Sequence, residues 1–297
     1  MKNILITLFF LVFFFMNLSA QHGTPLITFG LIADIQYADC EPGRSRFYRN
    51  SLSKLDSCTN YLNAQQVQFT INLGDLVDRR LADLDCVLVR LNHLDNRVYN
   101  TTGNHDYNEV SSNQILYEKL GMPSDYYSFK KENWIFIILN TNEISSYANI
   151  AGTEKEQELS VMLNHIKAKN GSQGESWNGG IGRKQLEWMN EILMKAEQSG
   201  DNVLIFSHHP LWPESQLSAL NNMETLSLIE NYTCVKAVFS GHDHEGRFAY
   251  YKNLPCITLE GMVETKDDNA FGIVKIYPDK IVLEGKGRMR SLELKTK

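Results

Sequence analysis

The sequence predicts an α/β fold, and two observations carry that prediction. Apolar strand-like runs alternate with stretches of helical periodicity along most of the chain. The strand-like runs end, again and again, on Asp, Asn, Gln or His. In open α/β sheets the carboxyl ends of the strands are where ligands bind.

The elements follow in order. A strand from Leu26 to Ala33 ends at Asp34, and a helical stretch runs from about Phe47 to Asn63. A second strand, Gln68 to Leu73, ends at Gly74-Asp75, and a helix spans about Ala82 to His93. A third strand, Arg97–Asn100, runs into Thr102-Gly103-Asn104-His105-Asp106. Tyr126–Lys130 and Trp134–Asn140 read as a hairpin whose loop is Lys131 to Asn133. Thr153 and Glu156 have capping-box spacing and open a helix to about Lys169. The Gly-, Ser- and Asn-rich run from Asn170 to Gly182 is a loop. Leu186, Met189 and Leu193 mark a helix over Arg183–Glu197. Strands follow at Asn202–Phe206, ending at His208, and at Val235–Phe239, ending at His242 and His244. Short strands close the chain at about Phe248–Tyr251, Cys256–Leu259, Ala270–Ile276 and Lys280–Glu284. No repeat, linker or low-complexity run interrupts this order, so residues 21–297 read as one domain.

Composition narrows the partners. The chain has 297 residues, 22% of them charged, and a formal net charge of −6. That mild acidity argues against a dedicated duplex nucleic-acid binder, which usually shows a basic stripe. Phosphate substrates remain open, because bound cations supply local positive charge. Residues 1–20 read as a signal peptide: Lys2, an apolar run from Ile4 to Met16 broken only by Thr7, then Ser19-Ala20 before the cut. That run is shorter than the ~20 residues a membrane span needs. The expected location is therefore secreted or periplasmic, with no membrane partner after cleavage. The five cysteines, Cys40, Cys58, Cys86, Cys234 and Cys256, form no C-x-x-C pair and read mainly as small apolar residues.

The strand-end residues carry the chemistry. Asp34 and Gln36 follow the first strand, Asp75 the second, Asn104 and His105 the third. His208 and the His242/His244 pair follow two later strands. Carboxylates, amide oxygens and imidazoles together suit Mn, Fe, Zn or Mg rather than a thiolate-loving metal. The set is too large for one tetrahedral centre, and a bridging carboxylate makes two. Two ions ~3.5–4 Å apart clamp a phosphoryl group and acidify a shared water, whose hydroxide form attacks phosphorus.

In chain order these blocks read D-x-Q, G-D-x-x-D, G-N-H-D, H-x-P and G-H-x-H. In that order they resemble the five blocks of the calcineurin-like metallophosphoesterases. The resemblance implies a four-layer α/β/β/α sandwich. It implies that Asp34, Gln36 and His244 bind one metal, that Asn104, His208 and His242 bind the other, and that Asp75 bridges both. It leaves His105 off the metals and over the phosphate, to stabilise the transition state or protonate the leaving oxygen. Asp78 and Asp106 match positions that support the ligands, although Asp78 is also placed to cap a helix. His209 reads as a supporting residue before a ligand. His22, His93 and His165 lie outside the blocks.

Gln36 stands where most of that family has His, and an amide oxygen favours Mn(II) or Mg(II). With Phe29–Asp39, Trp177–Trp188 and Ser240–Gly246, it resembles the manganese-dependent ADP-ribose/CDP-alcohol diphosphatase subfamily. That resemblance implies two divalent ions, most simply Mn(II), and a phosphorylated small-molecule substrate, a nucleoside diphosphate conjugate. Three substrate contacts are expected. Tyr37 would stack on a base, against the alternative of loop packing. Gly180 and Gly182 would offer bare amides to a phosphate, against the alternative of turn geometry before the Arg183 helix. Arg44 and Arg46 read as solvated before they read as phosphate contacts. Two further functions stay open: a broader phosphomonoesterase or phosphodiesterase, and a secreted binding protein on a retired scaffold. A retired scaffold would have lost a ligand, and none is missing here.

Overall fold

The structure, a computed structural model, describes residues 23–296, so the expected signal peptide lies outside the described residues. Among the described residues, twelve strands form two mixed six-stranded sheets. The first holds β1 (Ile27–Ile32), β2 (Phe69–Asn72) and β3 (Arg97–Asn100) in parallel, with β10 (Ala270–Ile276), β11 (Lys280–Gly287) and β12 (Leu292–Lys295) added antiparallel beside β1. In the second, β5 (Trp134–Ile138), β6 (Asn202–Phe206), β7 (Val235–Ser240) and β9 (Leu254–Glu260) are parallel. Antiparallel β4 (Tyr127–Lys131) and β8 (Glu245–Tyr251) edge that sheet.

Strand periodicity sorts the side chains into layers. In β5, Trp134, Phe136 and Ile138 share one core with the first sheet, while Ile137 belongs to a second core. In β6, Leu204 and Phe206 face the first sheet, and Val203 and Ile205 face away. Aromatic rings fill the space between the sheets. Phe29 stacks on Phe69 at 5.0 Å and meets Phe136 edge-on at 5.6 Å across the gap. Outside the second sheet, α5 (Arg183–Ser199) buries Leu186, Met189, Leu193 and Ala196, joined by Leu226 and Ile229 of α6 (Asn222–Ile229). Outside the first sheet lie α1 (Asn50–Ala64) and α2 (Leu84–Leu91). Helix α1 approaches β1 so closely that a Cβ on Gly30 would sit 2.8 Å from the Leu62 Cδ1 atom. The result is the α/β/β/α sandwich expected from the sequence.

Three elements were not expected: α3 (Asn113–Lys119), α6 and β12. Each has eight residues or fewer, and tertiary packing fixes elements that short. Helix α4 (Glu154–Ala168) forms as expected, but its capping box does not. The Thr153 hydroxyl donates back to the Ile150 carbonyl at 2.6 Å, and Glu156 instead receives the Gly152 N–H at 2.8 Å. Among the described residues, no helix is long and apolar enough to cross a membrane.

Candidate metal centre and active site

The carboxyl ends of β1, β2 and β3 in one sheet meet those of β6 and β7 in the other. Backbone bonds tie neighbouring loops within each sheet: Gln36 N–H donates to Asp75 O at 2.8 Å, and Gly241 N–H to His208 O at 2.9 Å. Four of the predicted ligands pay in backbone strain. Asp34 (φ 54°), Gln36 (φ 42°), Asp75 (φ 53°) and His242 (φ 68°) all lie in the left-handed region. L-residues avoid that region, and such conformations gather at functional sites. The glycines of the motifs answer the same crowding. Gly74 has φ +90°, and a Cβ on Gly103 would lie 2.1 Å from Asp75 Oδ1.

The side chains of these loops converge in two groups. Asp34, Asp75 and His244 offer ligand atoms within 4.8 Å of one another, and so do His208, His209 and His242. Asn104 Oδ1 lies 3.1 Å from His208 Nε2. The Gln36 amide donates to Asp75 Oδ2 at 3.0 Å, while its own oxygen is buried without a donor.

Hydrogen-bond partners show which ring nitrogens are open. A carbonyl only accepts, so His208 Nδ1–H donates to Leu73 O at 2.8 Å and leaves the Nε2 lone pair facing Asn104 Oδ1. A cation between them would satisfy both lone pairs. His244 Nδ1 meets Glu264 Oε1 at 2.8 Å, which turns Nε2 toward Asp34 Oδ1 at 3.5 Å. His209 spends both nitrogens: Nε2–H donates to Trp177 O at 3.2 Å, and Nδ1 pairs with the Thr141 hydroxyl at 2.9 Å. It is therefore a supporting residue and has no lone pair left for a metal. His105 Nδ1–H donates to the Asp78 carbonyl at 2.9 Å, which leaves Nε2 for the cleft.

Electrostatics agree with this sorting. Burial, then the neighbouring histidines, hold His242 and His209 neutral, far below the usual imidazole range. Burial also pulls on His244, but Asp34 and Glu264 outweigh it and lift the imidazole to about 9. Burial acts against Glu264 as well, yet its bond to His244 takes the carboxyl down to about 2. Asp106 supports the Asp75 loop, because its carboxylate accepts the N–H groups of Asp75, Leu76, Val77 and Gly103. Burial, then the Asp75 charge, push Asp106 up to about 7 against those donors. Asp78 caps no helix; it faces His105 and Arg46.

A cleft of about 410 Å³ opens over this centre. Gln36, Asp75, Asn104, His105, His242 and His244 reach it from below. Arg46, Asn108, Tyr147, Trp177 and Leu217 complete its lining.

Residues 27–246 match the calcineurin-like phosphoesterase family. The chain belongs to that family. It is 32% identical to a manganese-dependent ADP-ribose/CDP-alcohol diphosphatase of Oryza sativa subsp. japonica over 93% of this chain and 96% of that one. It is 31% identical to the mouse protein of the same name, over 91% of this chain and 93% of that one. The crystal structure of a dimetal phosphatase from Danio rerio superposes with a TM-score of 0.83 at 28% identity, covering 92% of this chain and all (100%) of that one.

Three expected substrate contacts need correction. Tyr37 does not line the cleft: it packs against the core, with its hydroxyl beside Cys86. Gly180 N–H is taken by Ile144 O at 2.9 Å, and Gly182 N–H by Glu143 Oε2 at 3.0 Å. Both amides hold the loop together and offer nothing to an anion. Arg46, read as solvated, lines the cleft beside Asp78 and Glu264 at 3.7 Å from each. Sequence reasoning missed Asn178, Trp177 as a cleft residue, and Glu264. None sits in one of the five blocks; Trp177 and Asn178 lie in the Trp177–Trp188 run that carried the subfamily resemblance, but there the glycines after Asn178 drew the reading.

Proposed function

We propose that this protein is a dimetal phosphohydrolase that cleaves the pyrophosphate of nucleoside diphosphate conjugates such as ADP-ribose or CDP-alcohols. The observation that carries the reading is the acceptor-only pocket: the donorless Gln36 oxygen, and Asn104 Oδ1 facing the His208 lone pair at 3.1 Å. Those donors fit divalent cations, and the mixed oxygen and imidazole set fits Mn(II). Asp34, Gln36 and His244 would hold one ion, Asn104, His208 and His242 the other, with Asp75 between them. When bound, two such ions polarise the phosphoryl oxygens and lower the pKa of a water at the site.

The protein's own groups do the rest. Backbone N–H of His105 fixes Asp75 Oδ1 at 2.8 Å. The Asp78 carbonyl holds His105 by Nδ1–H, so that the doubly protonated ring presents Nε2–H to the leaving phosphate oxygen and, having given that proton, is left neutral with its proton on Nδ1. The Arg46 guanidinium meets the charge of the second phosphate. Trp177, 41% exposed at the cleft, offers a flat face to a base. The relatives named above support the nucleotide class and manganese. The basic start, apolar run and small residue before position 21 support export of the mature enzyme.

Metal-stripped protein should release AMP or CMP from ADP-ribose or CDP-choline once Mn(II) is restored. Preferential turnover of an aryl phosphate would instead favour a broad phosphomonoesterase. No turnover of either class would return the chain to a binding role.

A further inference from the structure

We propose that Asn178 is a positioning residue for the metal centre: it fixes the ring tautomer of His242, so that His242, unlike His208 and His244, offers Nδ1 to a metal. The proposal rests on the dimetal reading above. Asn178 is 2% exposed and sits in the loop between α4 and α5. Both hydrogens of its amide nitrogen are committed, to Gln173 O at 2.8 Å and Gln216 O at 2.7 Å. A flipped amide would set its oxygen against those two carbonyl oxygens. Asn178 Oδ1 is therefore fixed as an acceptor, and it faces His242 Nε2 at 3.2 Å.

An acceptor held there demands a donor. His242 must carry its proton on Nε2, which leaves the lone pair on Nδ1. His208 and His244 are set the other way, by Leu73 O and Glu264 Oε1 on their Nδ1 atoms. The Asn178 loop is itself pinned, because His209 Nε2–H donates to Trp177 O at 3.2 Å. His209 thus has a role outside the ligand set: it holds the loop that sets His242. Partners of this kind on metal-binding histidines fix ring orientation, and their loss typically weakens binding by ~10–100-fold.

The test uses full-length metal-free protein with ¹⁵N-labelled histidine, the His242 signals being assigned with a His242→Gln variant. The wild type should show His242 protonated at Nε2, and Asn178→Ala should show a mixture of tautomers. By calorimetry, Asn178→Ala should lose ~10–100-fold in Mn(II) affinity at one of two sites. A purely structural loop residue would leave the tautomer unmoved. His242 protonated at Nδ1 in the wild type, a reading that needs no variant to fold, overturns the proposal. So does an Asn178→Ala protein with wild-type tautomer and Mn(II) affinity. Failure of the wild type to bind two Mn(II) ions would instead sink the dimetal reading, while the tautomer measurement would still stand.

Discussion

Loading metal at pH 8 should expel a proton from His244. In the metal-free protein this ring sits between Asp34 Oδ1 at 3.5 Å and Glu264 Oε1 at 2.8 Å, and its pKa is raised to about 9. At pH 8 such a group is ~90% protonated. Metal can take Nε2 only after that proton leaves. His244 therefore contributes ~0.9 proton per chain, while Asp106, at about 7, is ~10% protonated at pH 8 and adds little. Affinity at this site should rise close to tenfold per pH unit below 9 and level off above it. Calorimetric titration with Mn(II) in two buffers of different ionisation enthalpy measures the released proton. Glu264→Gln should diminish the release. A binding enthalpy independent of buffer would show that His244 is already neutral in the metal-free protein, contrary to this expectation.

Three other outcomes follow from single contacts. Gly103→Ala should abolish metal loading with little change in far-UV circular dichroism, since the added Cβ would fall 2.1 Å from Asp75 Oδ1 and 2.3 Å from its backbone nitrogen. His105→Ala should lower kcat by ~10²–10⁴, with bound metal measured by mass spectrometry unchanged, because its Nδ1 is committed to Asp78 O. Lys54→Met should lower stability in urea by ~2–5 kcal/mol, since the carbonyls of Met262, Glu264 and Thr265 lose their donor. Part of that loss is offset, because burial and then Arg288 already pull the Lys54 ammonium down to about 8.

How much of the site was legible depends on how local its signal is. Asp34, Asp75, Asn104, His208 and His242 could be read because each lies in the loop just after a strand, and a strand leaves a periodic trace. The glycines before Asp75, Asn104 and His242 marked the same points, since the crowded backbone there tolerates no Cβ. Arg97–Asn100, Asn202–Phe206 and Ala270–Ile276 have the expected bounds because alternation and flanking turns agree there. What could not be read was long-range. Asn178 meets His242 across 64 positions, and Lys54 meets the loop that carries Glu264 from 210 positions away. Neither spacing leaves a pattern. Gly180 and Gly182 misled for a related reason: bare amides look free in a sequence, and only the fold supplies their acceptors, Ile144 O and Glu143 Oε2. Tyr37 failed likewise, because neighbouring the metal ligands in sequence does not fix which way a side chain leaves a turn.

Hydrolysis of a nucleotide pyrophosphate in one cleft with two metals underlies these outcomes. Its most direct test is to add Mn(II) stepwise to metal-stripped protein, counting bound Mn(II) per chain and following AMP release from ADP-ribose in the same samples. Turnover should appear as the second ion binds, and Asp75→Asn should neither load the pair nor turn over. Full turnover at one ion per chain, or in the Asp75→Asn protein, would contradict it.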